Sequence, residues 1–211
     1  MNTVALEDIP LLWRAQSLAP HRGQYVPTGY ALLDRALGGG WPSPSLIELL
    51  CDEYGGGELR LLLGLLAVER ADRHVVLWLS PPFELHAIAL TQYGSSPGDH
   101  WICSVSQPQD LQWAMTQALR SGACRLVVAW APRLKPAALR SLKLATQAGH
   151  TIGVLFRPRR AARTASPATV RLELKPRGTT LEVTILKMQG RAPGVVHLTP
   201  SEADARFEKT R

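Results

Sequence analysis

Residues 45–70, SLIELLCDEYGGGELRLLLGLLAVER, carry the clearest signal of the fold. The first six residues form a short, almost continuously apolar run, which predicts a buried β-strand. The glycine-rich segment 51–57 predicts a turn, and residues 58–70 predict a helix. A buried strand that leads through a glycine turn into a helix is the first part of an α/β unit. We therefore expect a sheet with helices packed against it.

The same layout is that of a phosphate-binding loop, which normally adds a lysine for the phosphates and a Ser or Thr for Mg²⁺. Here neither a lysine nor a Ser/Thr follows the three glycines at 55–57. The turn instead carries the carboxylates of Asp52, Glu53 and Glu58. These would repel a triphosphate that no lysine neutralises. We therefore expect the glycines to form a bend that does not bind ATP.

The alternation of strands and helices continues along the chain. Helical spacing over 28–37, which Thr28 could cap, ends at glycines 38–40. Further strands are predicted at 74–79, 101–105, 125–130 and 151–156, and further helices at 84–93, 108–121 and 136–148. Short apolar strands that alternate with helices are typical of a mainly parallel sheet covered on both faces. Residues 170–174 and 180–187 alternate apolar and polar positions, which predicts a β-hairpin at the sheet edge.

The composition describes a basic protein of 211 residues with a net charge of +7. This charge favours an anionic partner, either nucleic acid or an acidic protein surface, although a basic surface without a partner would look the same. No apolar run is long enough to span a bilayer and no signal peptide is apparent, so we expect a cytoplasmic protein. The thiols of Cys51, Cys103 and Cys124 lie far apart and the histidines are dispersed, so neither a disulfide nor a metal site is expected.

Three stretches resemble RecA recombinases in the correct order. They are PTGYALLDRALGGGWPSPSLIELL at 27–50, HWICSVSQPQDLQWAMTQALRSGACRLVVAW at 100–130 and AGHTIGVLFRP at 148–158. The segments 118–130 and 150–158 also resemble SulA, a cell-division inhibitor. The combination is most similar to the ImuA family, the RecA/SulA-like proteins of bacterial mutagenesis cassettes. The resemblance implies an N-terminal arm at 1–26, a RecA-like core at 27–198 and a polar tail at 199–211.

The positions that hydrolyse ATP in RecA carry unsuitable residues here. The degenerate phosphate-binding loop comprises Cys51, Gly55, Gly56, Gly57 and Glu58. The resemblance places the phosphate-binding lysine at about Gly57, the Ser/Thr at Glu58, the catalytic glutamate at Pro81 or Pro82, the Walker B acid at Trp130 and the γ-phosphate-sensing glutamine at Pro158. Phosphoryl transfer depends on positioning and electrostatics, so this joint replacement implies a protein that is not an enzyme and binds no cofactor. Trp130 could fill the nucleotide crevice or simply pack at a strand end.

Two further segments are candidate binding sites. In RecA the loop after the last core strand contacts single-stranded DNA, and the matching segment 157–168 contains the candidates Arg157, Arg159, Arg160 and Arg163. Such a run could neutralise phosphates, or it could be a solvated, disordered loop. The N-terminal candidates are Leu11, Leu12 and Trp13. They could dock on a partner or pack on their own domain.

The resemblance implies a non-catalytic accessory protein of the SOS response that supports translesion DNA synthesis. Its implied partners are ImuB, RecA, an error-prone replicative-type DNA polymerase, single-stranded DNA and further copies of the chain. One alternative is a SulA-like inhibitor of the division protein FtsZ, against which the longer chain argues. The other is a DNA-dependent ATPase, which would bind nucleotide at the glycine turn.

Overall fold

The computed structural model describes residues 24–67, 75–92 and 95–199, which form one large sheet, a small two-stranded sheet and the helices around them. The strands are β1 (Gln24–Val26), β2 (Trp41–Ser43), β3 (Ser45–Leu50), β4 (Val75–Leu79), β5 (His100–Cys103), β6 (Cys124–Trp130), β7 (Ile152–Arg157), β8 (Val170–Arg177), β9 (Thr180–Met188) and β10 (Gly194–Leu198). The α-helices are α1 (Ala31–Leu37), α2 (Leu63–Ala67), α3 (Ala87–Gln92), α4 (Pro108–Ser121) and α5 (Pro136–Gly149). Short 3₁₀ helices occupy Glu58–Leu62, Pro97–Asp99 and Arg159–Arg163.

The central sheet has the strand order β10-β9-β8-β3-β7-β6-β4-β5. The five pairings from β8 to β5 are parallel, and β8–β9 and β9–β10 are antiparallel. All six residues of β3 are buried, as its continuous apolar pattern predicts for an interior parallel strand. The expected α/β class, with a mainly parallel sheet and a hairpin at its edge, is confirmed.

The sheet separates two hydrophobic layers. Leu46 of β3 packs in the layer that contains Leu142 of α5, while its neighbour Ile47 packs in the layer that contains Leu33 of α1. Successive side chains of a strand point to opposite faces, so one apolar strand contributes to both layers. Helices α4 and α5 therefore cover one face, and α1, α2 and the preceding 3₁₀ helix cover the other.

Several predicted elements differ in detail. The helix predicted from residue 58 begins as a 3₁₀ helix, and residues 68–70 lie outside the described residues. Thr28 does not cap α1: its hydroxyl accepts from the Tyr30 N–H at 3.1 Å, and Tyr30 itself is the N-cap residue. Residues Gln24–Val26, expected in the arm, pair with Trp41–Ser43, and β10 adds an unexpected third strand to the hairpin.

At the edge of the central sheet formed by β5, a network of polar side chains surrounds His100. The Trp78 indole N–H donates to His100 Nδ1 at 2.9 Å, and the other imidazole nitrogen lies 2.8 Å from Ser95 Oγ. Arg125 donates to the same hydroxyl at 2.8 Å. Burial first, and then the Arg125 charge, lower the pKa of His100. The fold therefore favours the neutral imidazole at this edge.

Among the described residues, no helix has the length and apolar character that crossing a membrane requires.

Candidate functional site

The glycine turn after β3 lies at the edge of the sheet where the parallel strands end. This is the edge at which open α/β sheets bind their ligands. The Glu58 carboxylate folds back into the turn, and both of its oxygens accept from the Gly55 N–H at 3.0 Å. In a phosphate-binding loop such backbone N–H groups face the ligand. Here a buried carboxylate of the chain itself occupies that amide.

The backbone of the turn explains why glycine is needed. Gly55 and Gly57 have φ values of 90° and 97°, a region that costs little only for glycine. Gly56 faces β8 so closely that an added Cβ would lie 2.5 Å from Cγ of Pro176. The three glycines therefore form a tight bend pressed against the hairpin.

The potential around the turn is negative. Burial, Glu58 and Asp52, in that order, raise the pKa of Cys51 to about 12. Burial first, and then Cys51, Glu58 and Asp52, raise the pKa of Tyr54 to about 12. One carboxylate is partly satisfied, because Asp52 Oδ1 accepts from the Arg159 N–H at 2.9 Å. The environment disfavours an additional anion such as a nucleotide phosphate.

Aromatic rings pack against one another at the strand ends beside the turn. Trp130, at the end of β6, stacks on Phe156 with ring centroids 4.8 Å apart and on Trp78 with centroids 6.2 Å apart. Tyr54 from the turn meets Phe156 edge-on. Trp130 is only 7% exposed, and its indole N–H has no hydrogen-bond partner among the described residues. Trp130 is therefore a packed core residue at a strand end, and its blocking of a nucleotide crevice stays a prediction.

The other positions matched to RecA catalytic residues follow their strands as expected. Pro81, half-buried, and Pro82, exposed, come directly after β4. Pro158 follows β7 and caps the 3₁₀ helix Arg159–Arg163. The structure thus brings Glu58, Trp130 and the prolines to one edge of the sheet.

The arginine-rich segment is ordered, and its arginines occupy different environments. Arg157 is the last residue of β7, and its Nη1 donates to Glu48 Oε1 at 2.7 Å. Arg159 Nε donates to Glu173 at 2.6 Å. Arg160 and Arg163 lie exposed on the 3₁₀ helix. The Arg159 side chain is 38% exposed but ion-paired, so the four candidates divide into the buried Arg157, the paired Arg159 and the exposed Arg160 and Arg163.

The residue that sequence reasoning missed is Glu48. Its carboxylate is fully buried in β3 and also accepts from Arg171 Nε of β8 at 2.6 Å. The sequence did contain an indication, since Glu48 interrupts an otherwise apolar strand, and an acidic residue buried there needs a charged partner. The partners Arg157 and Arg171 lie 109 and 123 residues away, and the sequence alone could not select them. The arm candidates Leu11, Leu12 and Trp13 lie outside the described residues.

Comparison with curated proteins finds three relatives named cell division inhibitor SulA. The protein of Serratia proteamaculans (strain 568) is 29% identical over 149 residues, which are 70% of this chain and 88% of the relative. The protein of Yersinia enterocolitica (serotype O:8 / biotype 1B) is 28% identical over 149 residues, 69% and 86% of the two chains. The protein of Serratia marcescens is 32% identical over 114 residues, 54% and 67% of the two chains. No protein-family model matches the chain.

Proposed function

Because the chain belongs to the SulA-like family, we propose that it is a non-enzymatic binding protein of the bacterial DNA-damage response that acts through protein–protein contacts. The observation that best supports a non-enzymatic role is the Glu58 carboxylate on the Gly55 N–H, inside the turn where a phosphate would bind. The stacking of Trp130 on Phe156, at the end of a neighbouring strand, gives further support. On this proposal the α/β core is a scaffold for partners.

Within this role we favour an ImuA-like accessory function in translesion DNA synthesis. The matched segment covers 88% of the Serratia proteamaculans relative but only 70% of this chain, so this chain is the longer of the two. The RecA-like stretches at 27–50 and 100–130 give the second argument. The proposed partners are ImuB, RecA and an error-prone replicative-type DNA polymerase, with self-association as a further contact.

A pull-down with purified ImuB and RecA tests the accessory function. We expect the folded chain to retain ImuB, and a heat-denatured sample of the same chain serves as the control. Mass measurement of the eluted complex would then give its stoichiometry. Failure of a folded, monodisperse chain to retain either partner would contradict the accessory role.

The second candidate function is inhibition of FtsZ, and the names of the three relatives favour it. Light scattering of FtsZ polymerisation with GTP measures this directly. An inhibitor should lower the scattering in proportion to its concentration. Polymerisation that is unchanged by an excess of the folded chain would remove this candidate.

A DNA-dependent ATPase is the remaining alternative, and the carboxylates at the turn argue against it. Calorimetry with Mg-ATP should give no binding heat, and DNA should stimulate no phosphate release. Saturable binding heat with Mg-ATP, together with phosphate release, would show that the chain is an ATPase.

Binding of single-stranded DNA is supported less well than binding of a protein partner, because two of the four candidates, Arg157 and Arg159, are ion-paired. Two phosphate contacts would give a shallow salt dependence, with a slope of roughly −1.4 in log K against log salt. Replacing the exposed Arg160 and Arg163 with alanine should remove this contribution and flatten the slope by about 1.4. An unchanged slope in oligothymidylate binding would show that this segment does not contact DNA.

A further inference from the structure

A cleft of about 530 Å³ opens at the carboxyl edge of the sheet, on the face covered by α4 and α5. The loop after β6, the first turn of α5 and the segment after β7 form its walls. It lies on the opposite face from the layer that contains Trp130, which belongs to the α1 and α2 side. The cleft is therefore separate from the closed glycine turn.

The walls of the cleft are cationic. Arg133, Lys135, Arg157 and Arg160 line it, and among the described lining residues none is acidic. Helix α5 has 14 residues and begins at this wall, with Lys135 as its N-cap and no side-chain hydrogen bond capping it. The positive end of the helix dipole therefore adds to the four side-chain charges. An anion in the cleft would be attracted from several sides.

Arg157 adds positive potential behind the wall of the cleft. Its side chain is 6% exposed and lines the cleft, its Nη1 donates to Glu48 Oε1 at 2.7 Å, and its Nη2 donates to the Leu134 carbonyl at 3.5 Å. It shares Glu48 with Arg171, so two buried guanidinium groups meet one buried carboxylate. One positive charge in a poorly solvated region is left without a counter-charge. A carboxylate that enters the cleft would provide the second negative charge.

The remaining lining favours a peptide over a nucleic acid. Leu134, Leu139 and several prolines give the cleft apolar walls, and no aromatic side chain lines it. Single-stranded nucleic acid binding depends on aromatic surfaces on which bases stack. An apolar pocket with cations around it instead matches a segment that carries an apolar side chain between carboxylates.

We propose that this cleft binds a short acidic and apolar peptide segment of a partner protein, with an apolar side chain against the half-buried Leu134 and carboxylates on Lys135 and Arg160. The proposal rests on the proposed function, since it names the surface through which a protein partner is held. The net charge of +7 favours association with such an acidic segment.

Fluorescence anisotropy of the full chain tests the proposal with a dye-labelled hexapeptide of alternating glutamate and leucine. We expect binding that weakens with salt, and at least tenfold weaker binding of the matched glutamine–leucine peptide. The double variant Lys135→Gln, Arg160→Gln should lower the affinity for the acidic peptide at least tenfold. The matched control is Arg120→Gln, which removes an exposed charge at the far end of α4 and should leave binding unchanged.

Three results would overturn the proposal: equal binding of the two peptides, equal losses in the double variant and the control, or displacement of the peptide by oligothymidylate at the same concentration. The last would reassign the cleft to nucleic acid. The pull-down with ImuB distinguishes failure of the cleft proposal from failure of the proposed accessory function. A double variant that still retains ImuB would refute the cleft as the docking site while the accessory role stands.

Discussion

The buried carboxylate of Glu48 is the single group on which we expect the fold to depend most, and the variant Glu48→Leu measures that dependence. The carboxylate is fully buried and joins β3 to both neighbouring strands through Arg157 at 2.7 Å and Arg171 at 2.6 Å. Leucine would leave two buried guanidinium groups without their counter-charge. Breaking a buried pair by removing one partner typically costs about 3–5 kcal/mol. We expect a loss of at least that size in the free energy of unfolding.

Urea unfolding followed by far-UV circular dichroism gives the measurement. With a denaturant slope of about 2 kcal/mol/M, the loss corresponds to a fall of roughly 2 M in the urea midpoint. The control Glu53→Gln removes an exposed carboxylate of the neighbouring turn and should change stability by less than about 0.5 kcal/mol.

A triple variant tests the cause of the loss. Glu48→Leu combined with Arg157→Met and Arg171→Met removes all three charges and fills the space with apolar side chains. Replacing a buried ionic group in this way is often neutral or stabilising by about 1–4 kcal/mol. The reasoning would be refuted if Glu48→Leu cost less than about 1 kcal/mol, or if the triple variant were no more stable than the single one.

Three further predictions concern the core and the sheet edge. Trp130→Ala should lower the free energy of unfolding by about 3–5 kcal/mol, measured by urea unfolding, because the nearly buried ring leaves a cavity. Gly149→Ala should lower the free energy of unfolding by about 1–3 kcal/mol, because the added Cβ would lie 1.8 Å from the Leu119 carbonyl oxygen. The loss should appear as a lower thermal midpoint. The folded state favours the neutral imidazole of His100, so its pKa is lowered. This contribution to stability is complete above the ordinary histidine pKa of about 6.5 and is lost as the pH falls below that value, because the unfolded chain then binds the proton more readily. The urea midpoint should therefore fall between pH 7.5 and 5.5, and fall less in His100→Gln.

Each of these has a matched control. Gly194→Ala should be neutral, because nothing lies within 4 Å of the added Cβ. His197→Gln, at an exposed position, should keep the pH response of the unaltered chain. A Trp130→Phe variant should retain part of the stacking with Phe156 and lose less stability than Trp130→Ala. Equal losses in a variant and its control would contradict the corresponding argument.

Much of the fold follows from local pattern. The short apolar strands between amphipathic helices predicted a parallel sheet, and helix α4 matches its predicted bounds at residues 108–121. Boundaries were less accurate where tertiary contacts decide them. Strand β7 extends to Arg157 because the backbone of that residue still pairs with Leu50 of β3. Strand β10 was missed, because its residues Gly194–Leu198 become a strand only by pairing with β9.

By itself, the sequence determined the alternation of strands and helices from β3 to β9, the glycine bend after β3 and the lack of a lysine or a Ser/Thr directly after its glycines. These depend on local periodicity, on glycine conformations and on which side chains can hold a phosphate. The tertiary structure alone decided how the charges are used. It pairs Glu48 with arginines more than a hundred residues away, turns Glu58 onto Gly55 and leaves Arg160 exposed beside a cleft. Burial and pairing are set by neighbours distant in the chain, so a run of arginines looks uniform in sequence and divides into buried ion pairs and solvent-exposed cations once folded.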